Sequence, residues 1–232
     1  FGLLQRDAQR LVNLDRNVFG ACMVALGHAD GMVTGATRTY ATALEDVRKV
    51  LDPVRSARVI GMSIVLSQGR TTFIADTNVA EFPEGPELAQ IAIQAAAGAR
   101  RFGVEPRVAF VSHSTFGNPR MERSEKIREA VTLLDRREDI DFEYEGEMSP
   151  DVALNADAQR LYPFSRLSEP ANVLIMPAIH SASISTSLLA VLGGATVIGP
   201  VLLGLERSVQ IAPLSATVSD IVNFAALSAF AA

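Results

Sequence analysis

The segment 111–119, Val-Ser-His-Ser-Thr-Phe-Gly-Asn-Pro, carries the densest group of side chains that could bind a ligand. It follows an apolar run, so its polar side chains come directly after a predicted buried strand. The hydroxyl groups of Ser112, Ser114 and Thr115 could donate hydrogen bonds to an anion. Backbone amides near Gly117 could complete the site, as they do where proteins bind phosphate. The alternative is an ordinary strand-to-helix turn whose hydroxyl groups satisfy the backbone, and the spacing alone leaves both open.

Other residues with possible chemistry lie in the same segment and towards the end of the chain. His113 could act as a base, but no residue nearby in the sequence orients it, so we expect a structural or ligand-packing histidine. The runs 177–181 and 198–204 are predicted strand ends that pass into loops of small residues. Their glycines would allow a ligand or a neighbouring subunit to approach closely, or simply allow tight sheet packing. Asp220 falls in the first turn of the last predicted helix, where it complements the helix dipole.

The composition excludes several classes of protein. The chain has 232 residues, of which 48% are hydrophobic, and a net charge of −5. It is therefore too apolar for a disordered protein and too acidic for a typical nucleic-acid-binding protein. A single cysteine, Cys22, rules out an intrachain disulfide framework and favours a reducing compartment, the cytoplasm. The sequence opens with Phe1 and carries no secretory signal there, so we expect an excerpt of a longer polypeptide.

Sequence motifs for the common cofactors do not occur in the chain. It has no Gly-x-Gly-x-x-Gly, Walker, His-Glu-x-x-His or Cys-x-x-Cys pattern, so we do not expect it to hold a nicotinamide cofactor itself. Its three histidines lie far apart in sequence, and we expect no metal site.

The run 135–147 holds seven acidic residues in thirteen. Such a run could be a surface for a cation or a basic partner. We favour the simpler interpretation, a solvated helix end followed by an edge strand.

Strands and helices alternate along the chain, which predicts an α/β fold with mostly parallel sheets and flanking helices. The runs 58–67 and 70–75 flank Gln68-Gly69 and predict a hairpin. Single helices are predicted over residues 3–29 and 150–161. In such sheets, ligands bind in the loops that follow the carboxyl ends of the strands.

The segment 170–205 contains no Asp, Glu, Lys or Arg. Prolines, glycine pairs and a Ser/Thr run interrupt it too often for a membrane span. The segment instead predicts a buried strand, a helix and a second buried strand, in a sheet covered on both faces.

The candidate segments occur together, in this order, in the phosphate acetyl/butyryl transferase family, which the chain resembles over nearly its full length. More closely still, it is similar to the carboxy-terminal, transferase-like domain of large bacterial NADP-dependent malic enzymes. Ser-His-Ser with Phe-Gly, and Gly-Glu-Met, are typical of the malic enzymes, whereas transferases tend to have Ser-Tyr-Ser-Thr-Gly and Gly-Pro-Leu there. The matching runs are 28–35, 103–109, 112–118, 144–148, 153–155, 161–167 and 171–177.

The resemblance implies a two-subdomain, phosphate acetyltransferase-like architecture. The family begins with an α/β stretch that this chain lacks, so the first subdomain is expected to be incomplete. Residues 1–110 would be the remainder of that subdomain with core helices. Residues 111–232 would be the second α/β subdomain, with the ligand cleft between the two.

Two departures from the transferase pattern imply that acyl transfer is lost. Transferases have Leu-Ser-Arg-Gly-Ala-Thr-x-x-Asp-Ile before the last helix, and its Ser, Arg and Asp serve the reaction. In this chain the Ser is Pro213 and the Arg is Leu214, so only Asp220 remains. The basic residues of a second segment, Gly-Asn-x-x-Tyr-Lys-x-x-x-Arg, are also missing from residues 182–191. Leucine cannot neutralise a phosphate, and the missing charge could cost ~10³-fold or more in rate.

The resemblance therefore implies a regulatory and oligomerising domain without an assigned catalytic residue. The parent enzyme would convert malate to pyruvate with NADP and Mg or Mn, both held by domains outside this chain. The domain would bind an acyl-CoA, acetyl-CoA, as an allosteric effector and would form a homo-oligomer, a dimer through this domain, with no nucleic-acid or membrane partner. The phosphates of the effector would be neutralised by Arg38, Arg120 or Arg166. The expected ligand-binding residues are Ser112, Ser114, Thr115, Gly117, Asn118, His180, Ser181, Asp220 and Asn223.

Two alternatives stay open at this point. The chain could be an active phosphate acyltransferase with an atypical site, which would convert acetyl-CoA and phosphate to acetyl phosphate and CoA. It could also be a dimerisation scaffold that binds no ligand.

Overall fold

The computed structural model of the chain describes residues 4–55, 57–120 and 124–231. Those residues form nine α-helices and eight β-strands, and the expected α/β fold class is confirmed. The chain divides into two compact units, Phe1–Val59 with Ile198–Ala232, and Ile60–Val197. The boundary expected near residue 110 falls inside a strand of the second unit. The division differs because the end of the chain returns to pair with its beginning.

The first unit is built around a two-stranded parallel sheet of β1 (Gly31–Gly35) and β8 (Ser208–Ala212). Three helices pack against this sheet: α2 (Arg16–Ala25), α3 (Tyr40–Arg48) and α9 (Val218–Ala231). A fourth helix, α1 (Gln5–Leu14), packs against α2.

Asp15 divides the helix predicted over residues 3–29 into α1 and α2. Its backbone is extended (φ −116°, ψ 113°). Its carboxylate accepts hydrogen bonds from the backbone amides of Asn17 (2.8 Å) and Val18 (3.2 Å). Asp15 is thus the N-cap of α2, and the single-helix prediction was wrong because a capping side chain can stop and restart a helix within an apolar repeat.

A cluster of charges around Asp46 joins α2, α3 and the segment between β1 and α3. The carboxylate of Asp46 accepts hydrogen bonds from Arg38 (2.6 Å), Lys49 (2.8 Å) and Asn17 (3.1 Å). Arg38 also pairs with Asp15 at 2.5 Å. Burial raises the pKa of Asp46, but these hydrogen bonds outweigh it, and its pKa lies below the ordinary value of 3.8.

The second unit contains five strands of a mostly parallel sheet, in the order β5-β4-β6-β3-β2. All neighbouring pairs are parallel except β2 and β3, which form the predicted antiparallel hairpin. A further strand, β7 (Thr196–Leu203), begins in this unit and ends in the first. The five strands are β2 (Ile60–Ser67), β3 (Arg70–Ala75), β4 (Arg107–Val111), β5 (Glu143–Met148) and β6 (Val173–Ile175).

Helices cover both faces of this sheet. On one face, α4 (Gly85–Arg101) contacts four strands through small buried residues, and its last turn brings Phe102 to 5.9 Å from the ring of Phe73. The opposite face packs against α6 (Pro150–Leu154) and α8 (Ile179–Val191). Two more helices belong to this unit, α5 (Glu125–Asp135) and α7 (Ala156–Gln159).

The helix predicted over residues 150–161 is also divided, at Asn155. The side chain of Asn155 accepts a hydrogen bond from the backbone amide of Asp157 at 2.8 Å and caps α7. The break has the same cause as the break at Asp15, a side chain that satisfies the first backbone donors of a new helix.

The charge-free segment 170–205 forms β6, α8 and β7, which are the predicted strand, helix and strand. In the described part of the chain, none of the helices has the length and apolar character that crossing a bilayer requires. Most of α8 is not buried, since only Ala182 and Thr186 of its thirteen residues are. Ile184 and Leu188 are 59% and 51% exposed.

The charge cluster predicts a dependence of stability on pH. A carboxylate whose pKa is depressed in the folded state stabilises the fold above its unfolded pKa, and this contribution is lost as the pH falls through the folded value. Asp46→Asn should therefore lower the free energy of unfolding at pH 7, and the difference from the parent should shrink below pH ~4. Urea titrations over a series of pH values measure this. Asp52→Asn, at an exposed carboxylate of the same unit, is the control; an equal effect there would contradict the prediction.

Candidate functional site

The loop after β4 is a tight turn held by its own backbone. The backbone amide of Thr115 donates to the carbonyl of Asn118, and the amide of Asn118 donates back to Thr115, each at 3.0 Å. The two residues between them, Phe116 and Gly117, both have positive φ, 48° and 83°. This is the conformation of the tight turns that join antiparallel strands, and glycine at the second position adopts it without steric cost.

A β-bulge at the end of β5 turns an acidic side chain towards this loop. Phe110 of β4 pairs with Gly146, but Val111 pairs with Met148, so Glu147 is the extra residue of the pair. Gly146 has φ +156°, and a Cβ there would lie 2.7 Å from the Cβ of Phe110. Only glycine fits this close approach, and the bulge that follows it presents Glu147 to the loop.

The carboxylate of Glu147 is buried and fully hydrogen-bonded. The residue is 1% exposed. Its Oε1 accepts from the hydroxyl of Ser114 at 2.5 Å and from the backbone amide of Gly117 at 3.1 Å. Its Oε2 accepts from Nη1 of Arg128 on α5 at 2.7 Å. One hydroxyl, one backbone amide and one guanidinium thus surround a single buried carboxylate.

Three serine hydroxyl groups meet beside this carboxylate. The Oγ atoms of Ser112 and Ser114 lie 3.3 Å apart, and that of Ser124, at the start of α5, lies 3.1 Å and 2.9 Å from them. Ser114 is completely buried, whereas Ser112 is only partly buried. The hydroxyl of Ser114, predicted to contact an anion, therefore contacts the anion of Glu147.

The other polar side chains of the loop do not contact Glu147. The hydroxyl of Thr115 and that of Ser149, at the start of α6, lie 2.9 Å apart, and Thr115 also accepts from the backbone amide of Ser149 at 3.0 Å. His113 and Asn118 are exposed. The loop thus keeps one buried side, which holds Glu147, and one exposed side, which is open to a ligand.

His180 and Ser181 lie in the first turn of α8 rather than in a loop. The hydroxyl of Ser181 donates to the carbonyl of Ala178 at 2.7 Å. The exposed ring of His180 stacks on Phe82, with ring centroids 5.2 Å apart and an interplanar angle of 27°. Helix α8 begins earlier than the predicted start near residue 183, and its N-cap residue Ala178 makes no side-chain capping hydrogen bond.

Asp220 and Asn223 belong to the other unit, on α9. The carboxylate of Asp220 accepts from the backbone amide and the hydroxyl of Thr217, both at 2.8 Å, and its own amide donates to that hydroxyl at 3.2 Å. This reciprocal pair is a capping box, which by itself accounts for an acidic residue at this position. Before the cap, Leu214 occupies an exposed turn and carries no charge.

Two of the three arginines expected to neutralise a phosphate are already paired with two carboxylates each. Arg38 pairs with Asp15 and Asp46, and Arg166 with Asp135 and Glu145. For Arg166, burial by itself lowers the pKa, but the two neighbouring carboxylates outweigh it and the pKa lies above its ordinary value. The two carboxylates beside Arg38 likewise raise its pKa. Arg120 lies at the end of the loop, is largely exposed, and has one ion pair of 3.6 Å to Glu125.

The acidic run 135–147 differs in part from the solvated surface that we favoured. β5 is an edge strand, as expected. However, Glu145 is buried against Arg166, and Glu147 against Arg128. Among the residues that the structure describes, no three His, Cys, Asp or Glu side chains come together in a group that could hold a metal ion.

Comparison with protein families identifies the chain. The sequence profile described as phosphate acetyl/butaryl transferase matches residues 2–229. The chain belongs to this family. An NADP-dependent malic enzyme from Rhizobium meliloti (strain 1021) is 62% identical over 229 residues, which cover 99% of the chain and 30% of that protein. A phosphate acetyltransferase from Bacillus subtilis (strain 168) is 28% identical over 98% of the chain and 71% of its own length.

Solved structures agree with this assignment. The EutD phosphotransacetylase from Staphylococcus aureus superposes with a TM-score of 0.88 at 27% identity, covering 99% of this chain and 71% of that one. The chain is thus a phosphate acetyltransferase-like domain that matches the carboxy-terminal part of NADP-dependent malic enzymes. It spans about a third of the length of the malic enzymes that it matches.

Glu147 and Arg128 are the parts of this site that sequence analysis missed. The signal was present, because Glu147 directly follows a glycine near the end of a predicted strand in a run typical of the malic enzymes. Alternation along the strand cannot locate a bulge, however, so the direction of this side chain was not predictable.

Removal of the charge of Glu147 should destabilise the fold more than removal of the charge of Glu145. Glu147→Gln should lower the free energy of unfolding by about 3 kcal/mol, because Arg128 then has only its partly exposed partner Glu125. Glu145→Gln makes the same chemical change two residues earlier. It should cost about 1 kcal/mol, because Arg166 is more exposed and keeps Asp135. Urea titrations of both variants test this, and equal losses would contradict it.

Proposed function

We propose that this chain is the regulatory and oligomerising domain of an NADP-dependent malic enzyme and that it binds acetyl-CoA as an allosteric effector. The high identity to the Rhizobium meliloti malic enzyme over nearly the whole chain supports this assignment. In this proposal the oxidative decarboxylation of malate to pyruvate, with NADP and Mg or Mn, takes place in residues outside this chain. The protein acts in the cytoplasm, and the effector works by favouring one of two subunit arrangements.

The observation that carries the regulatory role is the absence of charge before α9. Where the transferases have Ser-Arg, this chain has Pro213 and Leu214, and the side chain of Leu214 is 61% exposed. An exposed leucine offers neither a hydrogen bond nor a charge to a phosphate or an oxyanion. Of the Ser, Arg and Asp that serve the reaction in the transferases, only Asp220 is retained, and it is engaged in the helix cap. The segment therefore keeps its structure and lacks the groups that acyl transfer to phosphate needs.

The exposed side of the loop 112–118 is where we place the effector. Asn118 and His113 are exposed there, and the ring of Phe116 packs against Tyr162 and Phe164 at 5.2 Å and 4.8 Å. An acyl-CoA carries both phosphates and apolar groups, and such a surface offers polar and aromatic contacts side by side. Arg120, at the end of the loop, supplies the charge for the phosphates.

Two apolar helix surfaces, one in each unit, support the oligomer. α8 contains no Asp, Glu, Lys or Arg, and its exposed side chains include Ile184, Leu188 and Val191. On α9, Val218 and Val222 are exposed, and Asp220 is the only charged residue. Contiguous exposed apolar side chains of this kind mark surfaces that another chain covers. We assign them to contacts between copies of this chain.

The effector proposal predicts binding without chemistry. Calorimetric titration of acetyl-CoA into the full-length protein in phosphate buffer should give saturable binding, and the recovered ligand should show no release of free thiol. Acetyl transfer to phosphate would free the thiol of CoA, so thiol release would contradict the proposal and favour an active acyltransferase. Absence of binding, with the oligomer intact, would also contradict the proposal and would favour a dimerisation scaffold that binds no ligand.

A pair of variants separates catalysis from folding if thiol is released. Asp220→Asn removes the carboxylate, and Thr217→Ala weakens the same helix cap while keeping that carboxylate. Both should lower the stability of α9 by about 1 kcal/mol. Loss of thiol release in Asp220→Asn alone would assign the reaction to the carboxylate, whereas equal loss in both would trace it to the cap.

The oligomer proposal predicts that a charge on α8 weakens assembly. Leu188→Glu places a carboxylate in the apolar surface and should lower the average mass of the full-length protein in sedimentation or light-scattering measurements. Leu161→Glu introduces the same charge at a side chain that is also exposed but lies outside α8, and it should leave the mass unchanged. An unchanged mass in Leu188→Glu would remove α8 from the interface.

A further inference from the structure

The surroundings of the Glu147 carboxylate have the composition of a binding site for a small oxyanion. The donors are a hydroxyl (Ser114), a backbone amide (Gly117) in a left-handed turn, and a guanidinium (Arg128), all within 3.1 Å of the two carboxylate oxygens. Hydroxyl, turn amide and arginine are the groups that proteins combine to bind phosphate and related anions. The Oγ atoms of Ser112 and Ser124 lie 3.3 Å and 2.9 Å from the Oγ atom of Ser114.

A need for stability alone does not explain this arrangement. An ion pair with a buried carboxylate contributes little more than well-packed apolar residues of similar volume would, because Glu147 loses its hydration and Arg128, whose side chain is 29% exposed, loses most of it. The chain nevertheless uses a bulge, and the close approach of Gly146 to Phe110, to turn the carboxylate inward. The donors converge on one point from the loop after β4 and from α5, the next helix along the chain, whereas the carboxylate comes from β5.

We propose that Ser114, Gly117 and Arg128 form an oxyanion cradle and that the carboxylate of Glu147 occupies it as an internal ligand. The chain thereby closes the cradle against free oxyanions such as inorganic phosphate. The charges explain the exclusion. Arg128 is balanced by this carboxylate and by that of Glu125, and a phosphate entering the cradle would meet the like charge of Glu147 at hydrogen-bond distance. The inference concerns this cradle alone and is independent of whether an acyl-CoA binds elsewhere on the domain.

Removing the internal ligand should open the cradle. Glu147→Ala deletes the carboxylate and one methylene group, which leaves both the donors and a space. Glu147→Gln removes the same charge but fills the space, so it is the matched control. Inorganic phosphate should bind Glu147→Ala at least tenfold more tightly than it binds either the parent or Glu147→Gln. At a tenfold excess over Kd it should raise the Tm of that variant by about 3–5 °C.

Titration calorimetry and thermal unfolding of the full-length protein measure these effects, with sodium chloride at equal ionic strength as the reference. Any phosphate site elsewhere in the protein is common to all variants and drops out of the difference. Adding Arg128→Leu to Glu147→Ala should abolish the gain in phosphate binding. A gain that survives this second substitution, or a Glu147→Ala variant that responds to phosphate no more than Glu147→Gln does, would overturn the proposal.

The test also holds if Glu147→Ala does not fold in chloride. In that case the variant should regain its native circular dichroism when it is refolded in phosphate, because an anion that binds only the folded state stabilises it. Failure to refold in phosphate, under conditions in which the parent refolds, would overturn the proposal equally.

Discussion

A carboxylate that is removed from water must find hydrogen-bond donors inside the protein, and Glu147 finds them in the loop after β4 and in α5. The loop after β4 and the start of α5 are arranged so that they supply these donors. The left-handed turn at Phe116 and Gly117 presents an amide to the carboxylate. The serine cluster fixes the start of α5, from which Arg128 reaches back to complete the pair. The loop is thus organised from its buried side, and its exposed side carries the residues that remain available to a ligand.

The charge-poor end of the chain gives the domain a second distinguishing property. A helix such as α8, with no charged side chain and few buried residues, exposes an apolar surface of the kind that marks interaction sites. One departure from the transferase pattern contributes to this surface, because Val191 of α8, which is 81% exposed, stands where the transferases have arginine.

Sequence analysis recovered most of the elements because their signals are local. The hairpin of β2 and β3 is marked by Gln68-Gly69, and α4 by its capping residues and small side chains. It missed the breaks at Asp15 and Asn155, where a single side chain caps a new helix within a continuous apolar pattern. It also placed His180 in a loop, although the residue lies in the first turn of α8.

What the sequence by itself determined is the family, the alternation of strands and helices, and the loss of charge at Pro213 and Leu214, since each depends on residue types in a fixed order. The tertiary structure decided where the polar groups of the loop point. Ser114 was predicted to bind an anion, and only the folded chain shows that this anion is a carboxylate from a strand more than thirty residues away. The physical reason is that a β-bulge, set by the close packing of Gly146 on Phe110, reverses the direction of one side chain. No local pattern encodes that packing.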